Sequence, residues 1–323
     1  MSFAMENISI PNKKNKIPLL EVKQLSLSFP QYKKGFEESY IQVIRDFELT
    51  IYPGEIVAVV GSSGSGKSLL ADSILGILPE NAAINGTLLF KGVALTKNRQ
   101  EQLRGKAISL IPQSVKALDP LMKTGRQVQG IIRDKKDKKR IQEEAFLKLG
   151  LAPGTGDKYP HELSGGMARR VLIASAMVSE AQLIIADEPT PGLDELAWEE
   201  TLSNLKQLSE GNRGIMFITH DIQAALKIAD KIAVFYAGET LEIANKEDFS
   251  GKGEVLRHPY TKALWLALPE NDFKVLKGNQ PESEDVFPGC VFEPRCPIAT
   301  GLCKTNKPDS TMINNGITRC FYA

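Results

Sequence analysis

An α/β fold on a parallel sheet with crossover helices is the class the sequence predicts, on three observations. Short apolar, β-branched runs recur along the chain, and amphipathic patterns at helical spacing separate them. A Gly/Ser loop also joins one such run directly to a helix. With 323 residues there is room for about two domains and a sizeable core.

Residues 1–18 are polar, rich in Asn and Lys, and are expected to be a flexible N-terminal tail. The alternation in LLEVKQLSLSF at 19–29 reads as an early strand, and IQVIRDFELTIY at 41–52 reads as another. After a Pro53-Gly54 turn, EIVAVVG at 55–61 has the apolar run of a strand covered on both faces. AISLIP (107–112), AQLIIAD (181–187), GIMFITH (214–220) and KIAVFYAG (231–238) are further strands of this kind. Helical patterns lie near 139–150, 167–179, 195–209 and 221–229. No strand is expected between 113 and 163, so residues of about 114–178 are assigned to a helical subdomain of a main domain at 19–240. Its lysine run, 133–150, has interleaved acids and reads as a solvated helix face. The pattern loosens after 240, so 241–323 is expected as a separate C-terminal extension, with a linker around 278–289.

Composition narrows the function. Forty Lys plus Arg against 39 Asp plus Glu leave a net charge of +1, which argues against a dedicated nucleic-acid binder. No apolar stretch approaches the roughly 20 residues that cross a bilayer, and the start carries no secretory signal pattern. The chain is expected in the cytosol. Three histidines, His161, His220 and His258, make a His-rich metal centre improbable.

Gly61-Ser62-Ser63-Gly64-Ser65-Gly66-Lys67-Ser68, with Leu69 following, fits the phosphate-loop pattern at every fixed position, after a strand and before a helix. Glycines let backbone N–H groups wrap a phosphate, and the helix start offers its positive dipole end to the same anion. Lys67 is placed to reach the β- and γ-phosphates, and Ser68 to ligate Mg²⁺. The strand LIIADEP ends in two carboxylates that point different ways, so Asp187 is suited to Mg²⁺ and Glu188 to the attacking water. Leu163-Ser164-Gly165-Gly166-Met167 opens another helix and is a second candidate phosphate contact.

All four cysteines, Cys290, Cys296, Cys303 and Cys320, fall in the last 34 residues. Disulfides are not expected in a cytosolic chain. Chemistry leaves zinc and an iron–sulfur cluster equally open, with unliganded thiols as a third reading.

The phosphate loop, the LSGGM turn and the IIADEP strand, in this order, resemble the nucleotide-binding subunit of an ATP-binding cassette (ABC) transporter over roughly residues 19–270. The resemblance implies a P-loop NTPase cassette that hydrolyses ATP with Mg²⁺. It makes Gln113 a sensor and possible ligand of Mg²⁺, and puts His220 beside the γ-phosphate. Pro191-Gly192-Leu193-Asp194 takes the place of the D-loop, with Asp194 at the nucleotide. Phe29 becomes a candidate for stacking on adenine, with Tyr40 as a rival. Ser164, Gly165 and Gly166 would serve the ATP of a second, related ATPase subunit, in a heterodimer or alternatively a homodimer.

Met167 in the signature and the stretch His258-Pro259-Tyr260-Thr261-Lys262-Ala263-Leu264 are similar to the oligopeptide, dipeptide and nickel importer subfamily. This implies uptake of peptides, or of nickel or metal complexes. It also implies two membrane permease subunits, an extracytoplasmic substrate-binding protein, and a peripheral place on the inner face of the cell membrane. For the cysteines it favours a [4Fe–4S] cluster over zinc. Pro191-Gly192 departs from the usual D-loop and puts coupling or rate, not ATP binding, in doubt. The alternative is a non-transport cassette acting on nucleic acid or the ribosome. A single phosphate loop, a single signature and a short insert argue against it.

Overall fold

The computed structural model describes residues 17–32, 38–62, 64–133, 136–274, 276–281 and 287–323. The expected tail therefore lies outside the described residues except for its last two positions, and Ser63 of the phosphate loop lies outside them too. The chain begins with β1 (Leu20–Tyr32), β2 (Glu38–Ile51), β3 (Ile56–Val60), α1 (Lys67–Leu75), β4 (Ala83–Phe90) and β5 (Val93–Ala94). It continues through α2 (Lys97–Leu103), β6 (Ile108–Ile111), α3 (Thr124–Ile131), α4 (Lys138–Lys148), α5 (Gly165–Val178) and β7 (Leu183–Asp187). Then follow α6 (Glu195–Ser209), β8 (Gly214–Thr219), α7 (Ile222–Ile228), β9 (Lys231–Tyr236), β10 (Glu239–Asn245) and α8 (Pro259–Leu266). The last elements are α9 (Gly301–Thr305), β11 (Thr311–Ile313) and β12 (Gly316–Thr318).

Two sheets carry the fold. The larger runs β11-β12-β10-β9-β3-β8-β7-β6. Its five strands from β9 to β6 are mutually parallel, as the apolar runs predict. The smaller, β2-β1-β4-β5, is antiparallel. β3 shows why its sequence needs no polar alternation. Val57 and Val59 face a core shared with Leu25, Phe47 and Phe90 of the antiparallel sheet and with Leu70 and Ile74 of α1. Ile56, Ala58 and Val60 face the other core, made with Val171 of α5, Leu202 of α6 and Ala225 of α7. Burying each large aliphatic side chain contributes roughly 1.5–3 kcal/mol, so a strand covered on both sides is held twice over.

Between β6 and β7 the chain is helical, with α3, α4 and α5 packed on one another. Position 240 lies within the antiparallel hairpin β9–β10, and β12 adds to β10 by pairing Glu242 with Thr318 and Ile243 with Ile317. Residues after 240 thus complete the main sheet.

Candidate active site

The strands β3, β8, β7 and β6 are parallel, so their C-terminal ends, and the residues that follow them, meet along one edge of the sheet. The phosphate loop leaves β3 on this edge. Gly66 closes it as the N-cap of α1 at φ 96°, a left-handed conformation that suits glycine, and a Cβ there would meet Val43 Cγ1 at 3.0 Å. At Gly61 a Cβ would lie 2.5 Å from the Phe235 carbonyl oxygen, so the loop can pass β9 only as glycine. The first turn of α1 has neither a side-chain cap nor an acidic residue. Its leading amides and positive dipole end are available to an anion. Ser62, Gly64 and Ser68 are exposed, Leu69 is half-buried, and Ser65 is buried with its Oγ unpartnered.

Lys67 is buried, and its Nζ donates to the carbonyls of Gly61 and Ser62, each at 2.8 Å. Its Nζ also lies 3.5 Å from Glu188 Oε1. Burial lowers the Lys67 pKa, and the Glu188 charge opposes that shift. Glu188 follows β7 with φ 46°, left-handed for a residue with a Cβ, a strain of about 1–3 kcal/mol. Its N–H donates to the Ile218 carbonyl at 2.9 Å, and its Oε2 lies 2.6 Å from His220 Nδ1. Lys67, beyond β3, and His220, after β8, therefore converge on the Glu188 carboxylate at the end of β7.

Asp187 is buried, with its carboxyl pKa raised chiefly by burial and lowered in part by a hydrogen bond from Ser68. Its Oδ1 is buried without a hydrogen-bond partner. An orphaned carboxylate oxygen beside a serine hydroxyl is the donor set of a hard cation such as Mg²⁺, so these residues fit that ion. Asp72 is a contributor the sequence reading missed. Its charge also raises Asp187, and burial raises its own pKa. The i, i+4 spacing from Ser68 to Asp72 on α1 was the available signal.

Gln113 follows β6 on the same edge and is exposed. Ser164 caps α5, its Oγ accepting from the Met167 N–H at 3.2 Å, and a Cβ on Gly165 or Gly166 would meet nothing within 4 Å. This turn is open, at the head of a helix in the helical segment. Asp194 caps α6, accepting from the Ala197 N–H at 2.9 Å, which occupies the side chain locally. Phe29 pairs with Ile41 across the antiparallel sheet and packs against the core, whereas Tyr40 on the facing strand is 61 % exposed. The residues assigned to a linker are not idle either: Ser62 of the phosphate loop donates to Gln280 Oε1. Arg295 holds that same segment, donating to the carbonyls of Lys277 at 3.0 Å and Leu276 at 3.4 Å.

The four cysteines are free thiols. The Cys290 N–H donates to the Cys303 carbonyl at 2.8 Å, and each of the four lies close enough to another to act on it electrostatically. Burial pushes Cys290 up to about 11 and raises Cys296 and Cys320, so these thiols favour their protons. Among the described residues, no group of three or more His, Cys, Asp or Glu side chains is gathered to hold a metal ion.

An ABC transporter family model matches residues 44–191, and a model of the oligopeptide/dipeptide transporter C-terminal region matches 241–303. The dipeptide transport ATP-binding protein DppD of Bacillus subtilis is 34% identical over 319 residues, covering 93% of both chains. The oligopeptide transport ATP-binding protein OppD of Escherichia coli is 33% identical over 320 residues, covering 94% of this chain and 93% of its own. Among solved structures, the dimeric post-hydrolysis state of the ATP-binding cassette MJ0796, bound to ADP and Pi, aligns with a TM-score of 0.61 at 26% identity. That alignment covers 70% of this chain and 98% of the cassette.

Proposed function

The chain belongs to the ABC transporter ATP-binding proteins of the oligopeptide/dipeptide group, and from that premise we propose that it hydrolyses ATP to power peptide import through separate membrane subunits. The observation that carries the reading is the convergence of Lys67, Glu188 and His220 at the edge where the phosphate loop opens.

The loop amides and Lys67 bind the phosphates, and the lysine charge offsets theirs. Ser68 and Asp187 would hold Mg²⁺, with Gln113 as a further candidate ligand, and the ion would offset charge developing on the phosphates. Glu188, fixed by its backbone and by His220, takes a proton from the attacking water, and His220 orients that carboxylate. A second ATPase subunit supplies its own Ser164–Gly166 turn to complete the pocket. The open face over Gly165 and Gly166 supports this, since backbone amides there are approachable.

Two permease subunits and an extracytoplasmic binding protein complete the transporter, and the chain is peripheral to the inner membrane face. Among the described residues, no helix is long and apolar enough to cross a membrane. Permease docking is supported by a cavity of about 580 Å³ between α3, α4 and the loop after α4, lined by Phe146 and Leu151 and by Lys123 and Arg126. Leu121, 87% exposed, precedes α3 on the same segment.

The cysteine set is proposed to carry a [4Fe–4S] cluster, to which the four thiolates would be the ligands. Support comes from the pairwise electrostatic influence among the four thiols and from the backbone N–H groups two residues on, which donate to Cys290, Cys296 and Cys320. Anaerobic purification with iron and sulfide near four each is the expected outcome; stoichiometric zinc with colourless protein refutes it.

The test of the central reading is Glu188→Gln in the assembled complex. ATP binding is retained, and turnover falls at least about 100-fold, the scale of losing a general base. Undiminished hydrolysis removes Glu188 from its role.

A further inference from the structure

Arg169 lies on α5, a little over one turn after the Ser164 cap. Its guanidinium is half-buried, and its Nη1 donates to the main-chain carbonyl of Glu188 at 3.4 Å. Burial is the influence that moves its pKa, and it moves it down. Among the described residues no carboxylate forms an ion pair with it. A half-buried cation without a counter-charge costs stability. The next residue behaves otherwise. Arg170 reaches the carbonyls of Leu149 and Gly150 and pairs with Glu200 at 3.6 Å, bracing the helical segment against α6.

What Arg169 holds is the residue under strain. Glu188 keeps φ 46°, and its N–H is bound to the Ile218 carbonyl. The following residue is Pro189, which brings no N–H of its own to this corner. The Ile218 bond restrains the backbone before the Glu188 Cα, and the Arg169 bond restrains it after. Together they fix the direction from which the carboxylate meets His220 and Lys67.

We propose that Arg169 is a positioning residue for the water-activating carboxylate, tying the Ser164–Gly166 turn to it through the first turns of α5. A nucleotide gripped at that turn then loads the same rod that orients Glu188. The inference rests on the ATPase reading above.

The test is MgATP turnover by the assembled complex carrying Arg169→Met, which keeps the aliphatic stem and removes the donor, or Arg169→Lys, which restores a donor. Arg169→Met is expected to lower kcat about tenfold, with the ATP KM within about twofold of wild type and a melting temperature no lower than that of the wild type. Arg169→Lys is expected to recover at least half of the lost rate. Wild-type turnover in the methionine variant overturns the proposal. So does a lysine variant no faster than methionine, or a loss shared equally between kcat and ATP affinity. An inactive wild-type complex instead overturns the ATPase reading.

Discussion

The two ends of the large sheet treat buried charged groups in opposite ways. At the end built on β10 and β12 the charges are paired, although Thr261 Oγ1 on α8 is left without a partner. Glu242, fully buried, accepts from the N–H groups of Arg257 and His258 at 2.9 and 2.8 Å. Arg257 in turn binds Glu242 at 3.2 Å, Asp248 at 2.9 Å and the carbonyls of Ile313 and Asn314. At the edge formed by β3, β7 and β8, Asp187 Oδ1 and Ser65 Oγ are left unpartnered and Glu188 is strained. Paired charges mark the region whose task is to hold the sheet together. Backbone strain and an unpartnered carboxylate oxygen mark the region proposed to receive a nucleotide and its metal.

The largest effect expected from this contrast is at Arg257. Arg257→Met leaves Glu242 buried beside β12 without its counter-charge, a loss of about 3–5 kcal/mol. Denaturant or thermal unfolding checks it. A loss under about 1 kcal/mol would show that the network is not what fastens β11 and β12 to β10.

The same contrast explains what could be read from sequence. β3, β7, β8 and β9 were legible because strands covered on both faces are continuous apolar runs. β10 was not, although nearly all of it is buried, because ETLEIAN carries two glutamates. Glu239 is neutralised by Lys307 at 3.0 Å, and Glu242 by Arg257, both far along the chain. No local pattern reports such pairing. β4 was missed for the reverse reason: its first five residues, including Asn85 and Gly86, are exposed, and only its end enters the core. Lys307 also bonds Asp46, and Arg319 reaches Glu48 at 3.6 Å, so these cations fasten the C-terminal segment to β2. In the site, the motifs gave Lys67, Asp187, Glu188 and His220. Gln280 and Arg169 depend on contacts between distant elements, which no motif encodes.

A smaller effect is expected at His258, also at the end of paired charges. It is fully buried, caps α8 by accepting from the Tyr260 N–H, and burial depresses its pKa from 6.5 to about 3. The unfolded chain therefore takes up a proton below pH 6.5 that the folded protein refuses until about pH 3. Stability from this group is complete above pH 6.5 and declines as pH falls, by about 1.4 kcal/mol per unit, or about 2 kcal/mol at pH 5. His258→Asn keeps a capping acceptor and cannot titrate. Its unfolding free energy is expected to fall less between pH 7 and pH 5 than that of the wild type, by about this amount. Parallel pH profiles would show that His258 is not kept neutral by its surroundings.

The smallest effect has the opposite sign, and it tests the other region. Asp187 is a buried carboxylate with Asp72 and Glu188 nearby, both of which raise its pKa, and Ser68 and Lys67 only partly compensate. Asp187→Asn removes the charge while keeping an oxygen for the Ser68 hydroxyl. Without Mg²⁺ or nucleotide, the variant is expected to be more stable by about 1 kcal/mol, the trade-off of a site that holds unsatisfied charge for its ligand. Hydrolysis of MgATP is expected to fall by at least about 100-fold in the same protein, because the remaining amide is a poor ligand for a hard cation. Equal or lower stability in metal-free unfolding would mean that Asp187 is satisfied by its neighbours, and the distinction between the two ends of the sheet would fail at its most exacting point.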